Sequence, residues 1–162
     1  RTANLAGPDL YRLLSTDLEG WLDTVDPSVR QRLAAAADVP AWQWLAARAR
    51  VAALSRAAAQ RLADCHALVA PTVALTPPRI DDVRTPEAFA RANGLALRNT
   101  AVGNYLTMAG ITLPVGLDAA AMPVGLQLLG QPGGERDLLA LAQAAEGVLG
   151  TADQRLGAPP AA

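Results

Sequence analysis

Cys65 and His66 are the sequence's one thiol and one imidazole, and they are adjacent in the chain. A thiol nucleophile needs its base within hydrogen-bond reach. Neighbours in an extended segment point to opposite faces, and in a helix they diverge by about 100°, so the pair reads as packing or a strand edge. One histidine and one cysteine also fall short of the roughly three or four protein ligands of a zinc site. Asp64, Asp81 and Asp82 are spread over a helix end and a loop without metal-ligand spacing, so no metal and no cofactor is expected. GQPGGE, Gly130 to Glu135, could be taken for a phosphate-cradling loop ahead of a helix. It lacks the Gly-Lys-Ser/Thr ending and Glu135 would repel an anion, so a structural turn is enough.

Two scarcities narrow the chemistry further. No lysine occurs, so all 14 basic residues are arginine, and the serines are Ser15, Ser28 and Ser55 alone. Each serine falls in or at the start of a predicted helix, where surface or capping roles are expected. Thr100 and Asn104 are four apart and so share a helical face, polar within an otherwise apolar approach to Ile111. Two readings stand: they hydrogen-bond backbone where helix gives way to strand, or they border a pocket.

The elements that must position these residues follow from periodicity. Val124 to Leu129 is a short apolar run with one polar residue, Gln127, bounded by Gly130 and Pro132, which predicts a strand buried on both faces or nearly so. From Glu135 the period lengthens: Leu138, Leu139, Leu141, Ala142, Ala145 and Val148 trace one face of a helix that Gly150 stops. Glu135 and Asp137 complement its positive end. Earlier, Leu10, Leu14, Leu18 and Trp21 predict a helix over Pro8 to Leu22, and Asp26 with Pro27 caps a short one over Val29 to Ala37. Pro40 opens a longer helix over Ala41 to Asp64, with Trp44, Val51, Leu54, Ala58 and Leu62 on one face. Ala67 to Ala70 predicts a buried strand ended by Pro71, and Pro77–Pro78 an extended surface loop. Thr85 and Pro86 cap a helical stretch bending at Asn93 and Gly94 and continuing towards Asn104. Ile111 to Leu113 is a β-favouring triplet ended by Pro114, and the Asp118 to Ala121 turn joins it to the Val124 strand.

At 162 residues, 51% hydrophobic and net charge -1, the composition is that of a soluble globular chain, with nothing to favour nucleic acid. Charges interrupt every candidate helix before the ~20 apolar residues that cross a bilayer, so no membrane partner is expected. One cysteine fits a reducing, cytoplasmic compartment. Arg1 in place of methionine is expected of a piece of a longer product. Three strands covered on two faces would need more sheet and more helix than this chain offers. The expectation is therefore part of a larger α/β fold: the C-terminal part of a mixed β-sheet flanked by helices, helix-rich in its first 64 residues.

Four segments resemble the C-terminal portion of the amidase signature family: LADCHALVAPT (Leu62 to Thr72), RNTAVGN (Arg98 to Asn104), ITLPVG (Ile111 to Gly116) and MPVGLQLLG (Met122 to Gly130) followed by the Glu135 helix. DPSVRQRL (Asp26 to Leu33) adds to the match, whereas YLTMAG (Tyr105 to Gly110) departs from the Gly-Pro type pair common before the Ile111 strand. The resemblance implies that residues 1–150 are the C-terminal part of an amidase-type domain, with 151–162 a loose tail. It also implies hydrolysis of a carboxamide C–N bond by a serine assisted by a second serine and a lysine, with backbone amides as an oxyanion hole. With no lysine and no Gly-Ser-Ser type loop, that triad maps onto no position here, so no catalytic residue lies in this chain and the chain alone is expected to be inactive. The expected partners are a small-molecule amide and the N-terminal part of the same protein. Thr100 and Asn104 are the candidate rim of the substrate pocket. An exposed sheet edge would favour a homo-oligomer. The alternative is a non-catalytic partner-binding module keeping an amidase-like half fold.

Overall fold

The computed structural model describes residues 5–157. They form two compact units that divide between Leu54 and Ser55.

In the first unit, helix α1 (Ala6–Arg12) passes into a π-helical turn, Leu13–Asp17, and a 3-10 turn follows at Trp21–Thr24. The single helix predicted over Pro8 to Leu22 is therefore broken. The Thr16 hydroxyl donates back to the Arg12 carbonyl at 2.8 Å, and the Leu18 amide reaches the Leu13 carbonyl five residues back at 2.9 Å. Such back-bonding loosens a helix. Gly20, at φ +89°, then turns the chain in a conformation few other residues adopt. Helix α2 (Pro27–Ala37) has the first-turn proline that was expected. Leu14 and Leu33 are the buried hydrophobic residues of this unit. Helix α3 (Ala41–Arg61) buries no residue along its length, and Trp42 and Leu45 are exposed. Of the apolar face read from its sequence, Trp44, Val51, Ala58 and Leu62 are half-buried and Leu54 is exposed.

The second unit is built on a three-stranded sheet in the order β1-β3-β2, from β1 (Leu68–Pro71), β2 (Ala109–Leu117) and β3 (Pro123–Gly130), with both pairings antiparallel. Helices α4 (Pro86–Ala96) and α5 (Thr100–Leu106) lie between β1 and β2 in sequence, and α6 (Glu135–Leu149) and α7 (Ala152–Leu156) follow β3. The α/β architecture expected is the one found. Alternation along β3 decides its layering. Leu128 faces α6 and packs with Leu113, Leu138 and Ala142 as the core cluster, with Ile111 and Leu141 against it. Gly130 is on the same side, where a Cβ would lie 3.3 Å from Leu138. Gly125, Gln127 and Leu129 face the other way.

Four expectations are corrected here. The β1 strand is not buried throughout: Leu68 and Val69 are 37% and 55% exposed on an edge strand, while Ala67, just before it, packs against the core cluster. Strand β2 runs through Pro114 instead of ending there. It too is an edge strand, where a missing N–H is tolerated, and a bulge between Pro114 and Gly116 absorbs the irregularity. Helix α4, capped by the Thr85 hydroxyl accepting from the Ala88 amide at 3.2 Å, continues unbroken through Asn93 and Gly94. The break comes later, between α4 and α5. The segment 151–157 is not loose: α7 carries a capping box in which the Thr151 hydroxyl and the Gln154 side chain bond each other's backbone. Residues 158–162 of the expected tail lie outside the described residues.

The β2–β3 hairpin closes on Asp118. Its carboxylate accepts from the amides of Ala120 at 2.8 Å and Met122 at 2.9 Å and from the Thr76 hydroxyl at 2.6 Å. The Thr76 bond above all, then the backbone amides, hold this carboxyl below its ordinary value of 3.8. A depressed folded value means stabilisation that is present above the unfolded value and lost as pH falls through the folded one. The Ala120 and Met122 amide resonances are therefore expected to titrate together with a midpoint below 3.8, and Asp118→Asn to remove that step. A midpoint at or above 3.8 would refute the assignment.

Candidate functional site

The sheet face turned away from α6 carries the polar groups. Thr72, just past β1, donates its amide to the Gly125 carbonyl at 2.8 Å, which extends the β1–β3 pairing by one residue. Its hydroxyl meets that of Thr112, on β2, at 3.2 Å across the top of β3. The two side chains can meet because Gly125 lies between them: a Cβ there would be 2.7 Å from Thr72 Oγ1 and 2.7 Å from Thr112 Cγ2. Directly opposite Thr112 in register is Gln127, 7% exposed, whose Oε1 is buried with no hydrogen-bond partner among the described residues.

Helix α5 stands at one end of this face. Asn99, immediately before it, donates from Nδ2 to the Pro71 carbonyl at 2.8 Å, and Gly103 lies where a Cβ would come within 2.9 Å of Leu129 Cδ2. Of the residues singled out in the sequence, Thr100 begins α5 and donates its hydroxyl to the Leu97 carbonyl at 3.3 Å, while Asn104 is exposed one turn later. At the far end Thr107 adopts φ +55°, a left-handed conformation that is unusual for a β-branched residue. It is held by the Ser55 hydroxyl, which donates to the Leu106 carbonyl at 2.7 Å and lies 3.1 Å from Thr107 Oγ1.

The serines correct the expectation of surface and capping roles in two cases. Ser55 is a mid-helix link to the end of α5, and the Ser15 hydroxyl is buried with no partner among the described residues. Of the Ser28 side chain nothing is described. Cys65 and His66 are both exposed, so neither is packed. The Gly130 to Glu135 segment is a turn: Gly134 donates its amide to the Gln131 carbonyl at 3.0 Å, and Gln131 Nε2 bonds the Leu62 carbonyl at 2.8 Å. Among the described residues no group of three or more His, Cys, Asp or Glu could hold a metal ion. No helix there is long and apolar enough to cross a membrane.

A cavity of about 500 Å³ opens in the first unit beside Arg12, Val39, Trp44 and Arg48. Its cations are engaged: Arg12 pairs with Asp17 at 3.0 Å, and the Arg48 guanidinium stacks 4.7 Å from the Trp44 ring centroid.

Asn99, Thr72, Thr112 and Gln127 were not marked as site residues by sequence. The one available signal was Gln127, a lone amide inside an apolar strand. The threonines carry no signal until pairing sets them side by side.

The chain matches the family described as Amidase over residues 16–139. It is 38% identical over 159 residues to the 2-amino-5-chloromuconic acid deaminase of Comamonas testosteroni, a match covering 98% of this chain and 34% of the relative. It is 33% identical over 90 residues to a fatty acid amide hydrolase of Medicago truncatula, covering 54% of this chain and 15% of that one. A crystal structure of an amidase superposes with TM-score 0.70 at 22% identity over 92% of this chain and 36% of its own, and a 6-aminohexanoate cyclic dimer hydrolase with 0.69 at 23% over 82% and 30%. The chain spans about a third of the length of the Comamonas relative, and the solved structures share its fold. A family match over most of the chain establishes that this chain belongs to the amidase family.

Proposed function

We propose that this chain is the C-terminal part of an amidase-type hydrolase that breaks carboxamide C–N bonds. The observation that carries this reading is the match to the Amidase family over residues 16–139, within a chain that holds no lysine. The reacting serine, its partner serine and the lysine are placed outside these residues. The chain supplies the β1–β3–β2 sheet, the α6 layer beneath it, and α5, with Thr100 and Asn104 at the rim of the substrate pocket. The names of the relatives support the bond class: an amide hydrolase and a deaminase both part carbon from nitrogen.

The test is a pair of assays. The purified 162-residue chain is expected to release no product from a panel of carboxamides, whereas the full-length gene product, carrying a Gly- and Ser-rich loop and a lysine, turns them over. Hydrolysis by the purified chain that survives removal of contaminants would sink the proposal. A gene without that loop and lysine would favour the non-catalytic module. For the rim, Thr100→Val in the full-length enzyme is expected to change KM for at least some amides, and unchanged KM across the panel would remove Thr100 from it.

A further inference from the structure

Within the first unit, helix α3 has two apolar sides where an ordinary surface helix has one. Trp44, Ala47 and Val51 share the side that is half-buried. On the opposite side Trp42, Leu45, Ala46, Ala49 and Ala53 fall within an arc of about 100°. All five are exposed, Trp42 at 68% and Leu45 at 59%. The polar residues of this stretch, Gln43, Arg48 and Arg50, lie on the flanks between the two sides. A helix whose outer side meets water carries its polar residues there, whereas one that is apolar all round is packed all round. An exposed indole and leucine at the head of an unbroken apolar stripe mark an interaction surface.

We infer that the outer side of α3 from Trp42 to Ala53 is the surface on which a segment of the amidase domain outside these 162 residues packs, apolar against apolar. Length, area and charge select that occupant. The chain spans 34% of the Comamonas relative, so a domain of that length has ample further polypeptide to cover the stripe. Helix geometry makes the stripe roughly 18 Å long and 10 Å wide, a footprint of about 200 Å². That is well short of the ~800 Å² that each partner of a stable separate complex buries. A segment of the same domain needs no such area, because the chain itself holds it near. A second copy of this chain fits poorly for another reason. It would bring Arg48 and Arg50 against their own counterparts, and no acid occurs from Val39 to Leu54 to pair with them. On this account α3 is an inner helix of the complete domain, and the inference rests on the proposal that the chain is part of a larger amidase.

The test uses the full-length gene product. A benzophenone amino acid in place of Leu45 is expected, on irradiation, to cross-link within one molecule to residues outside the 162. Cross-links confined to the 162 residues, cross-links to a second copy, or none at all would overturn the inference. Ala49→Glu supplies a second readout. Placed under a packed apolar layer, the carboxylate is expected to lower the folding equilibrium constant at least about ten-fold. On a helix side facing water the same change stays within about three-fold, since alanine and glutamate differ little in helix propensity, and that result would overturn the inference. Should the Ala49→Glu protein not fold at all, the cross-link at position 45 decides. These readouts concern proximity and folding alone. A full-length protein that cross-links as described yet hydrolyses no amide would defeat the functional proposal without touching this one, and an active enzyme with no such cross-link would do the reverse.

Discussion

Leu128→Ala is expected to destabilise the second unit by about 3 kcal/mol. Leu128 is 4% exposed at the centre of β3 and packs with Leu113 on the neighbouring strand and with Leu138 and Ala142 on α6. Removing it withdraws apolar surface from the one place where strand, strand and helix meet. The cavity left has few ways to close, because the β3 backbone is paired on both sides. The choice of probe matters. The tryptophans are Trp21, Trp42 and Trp44, all in the first unit, so no indole sits in the core that this change opens. Amide hydrogen exchange at residues 124–130 in urea is the suitable measurement. Protection unchanged to within about 1 kcal/mol would show that the α6 layer does not hold the sheet.

Gly125→Ala is the second large effect, expected at about 2 kcal/mol from overpacking. A methyl group there would stand 2.7 Å from both Thr72 Oγ1 and Thr112 Cγ2, and both neighbours are β-branched, with little rotamer freedom to yield. The strain would part the hydroxyl pair and loosen the extension of β1 onto β3 at Thr72. Thr112→Ser, which deletes the clashing methyl, should recover part of the loss in the double variant, whereas Thr72 would still oppose the new group. A Gly125→Ala chain as stable as the parent, or a double variant with no recovery, would count against the geometry. The glycine is thus a consequence of close approach between side chains on its two neighbours, with no special backbone angle involved.

Much of the second unit could be anticipated because its signals are local. The apolar run at Val124 to Leu129, the helical period from Glu135 and the Thr85–Pro86 cap each depend on residues within a turn or two, and each element formed where expected. The errors arose where an outcome depended on neighbours in space. Ala67 to Ala70 reads as buried from its composition, yet on an edge strand only Ala67 packs against the core cluster, and Leu68 and Val69 stay exposed. Pro114 reads as a terminator, yet an edge strand has a side on which no amide is needed. Thr16 and Gly20 broke a helix that the leucine spacing alone would have continued. At the candidate site, Thr100 and Asn104 were found by helical spacing, but the Thr72–Thr112 pair joins residues 40 positions apart and has no counterpart in any linear pattern.

The amino-acid sequence by itself determined the alternation of strand and helix, the amidase resemblance and the absence of a lysine with which to build the family's triad, since these depend on composition, period and motif order. Only the tertiary structure decided which face of β3 is core and which is polar, that Gly125 makes room for two threonines, that Ser55 braces the left-handed Thr107, and that the Gln127 carbonyl lies buried with no donor among the described residues. The reason is physical. Period and capping are set by backbone geometry over a few residues, whereas register, face and satisfaction of a polar group are settled only when distant segments are brought within hydrogen-bond distance of one another.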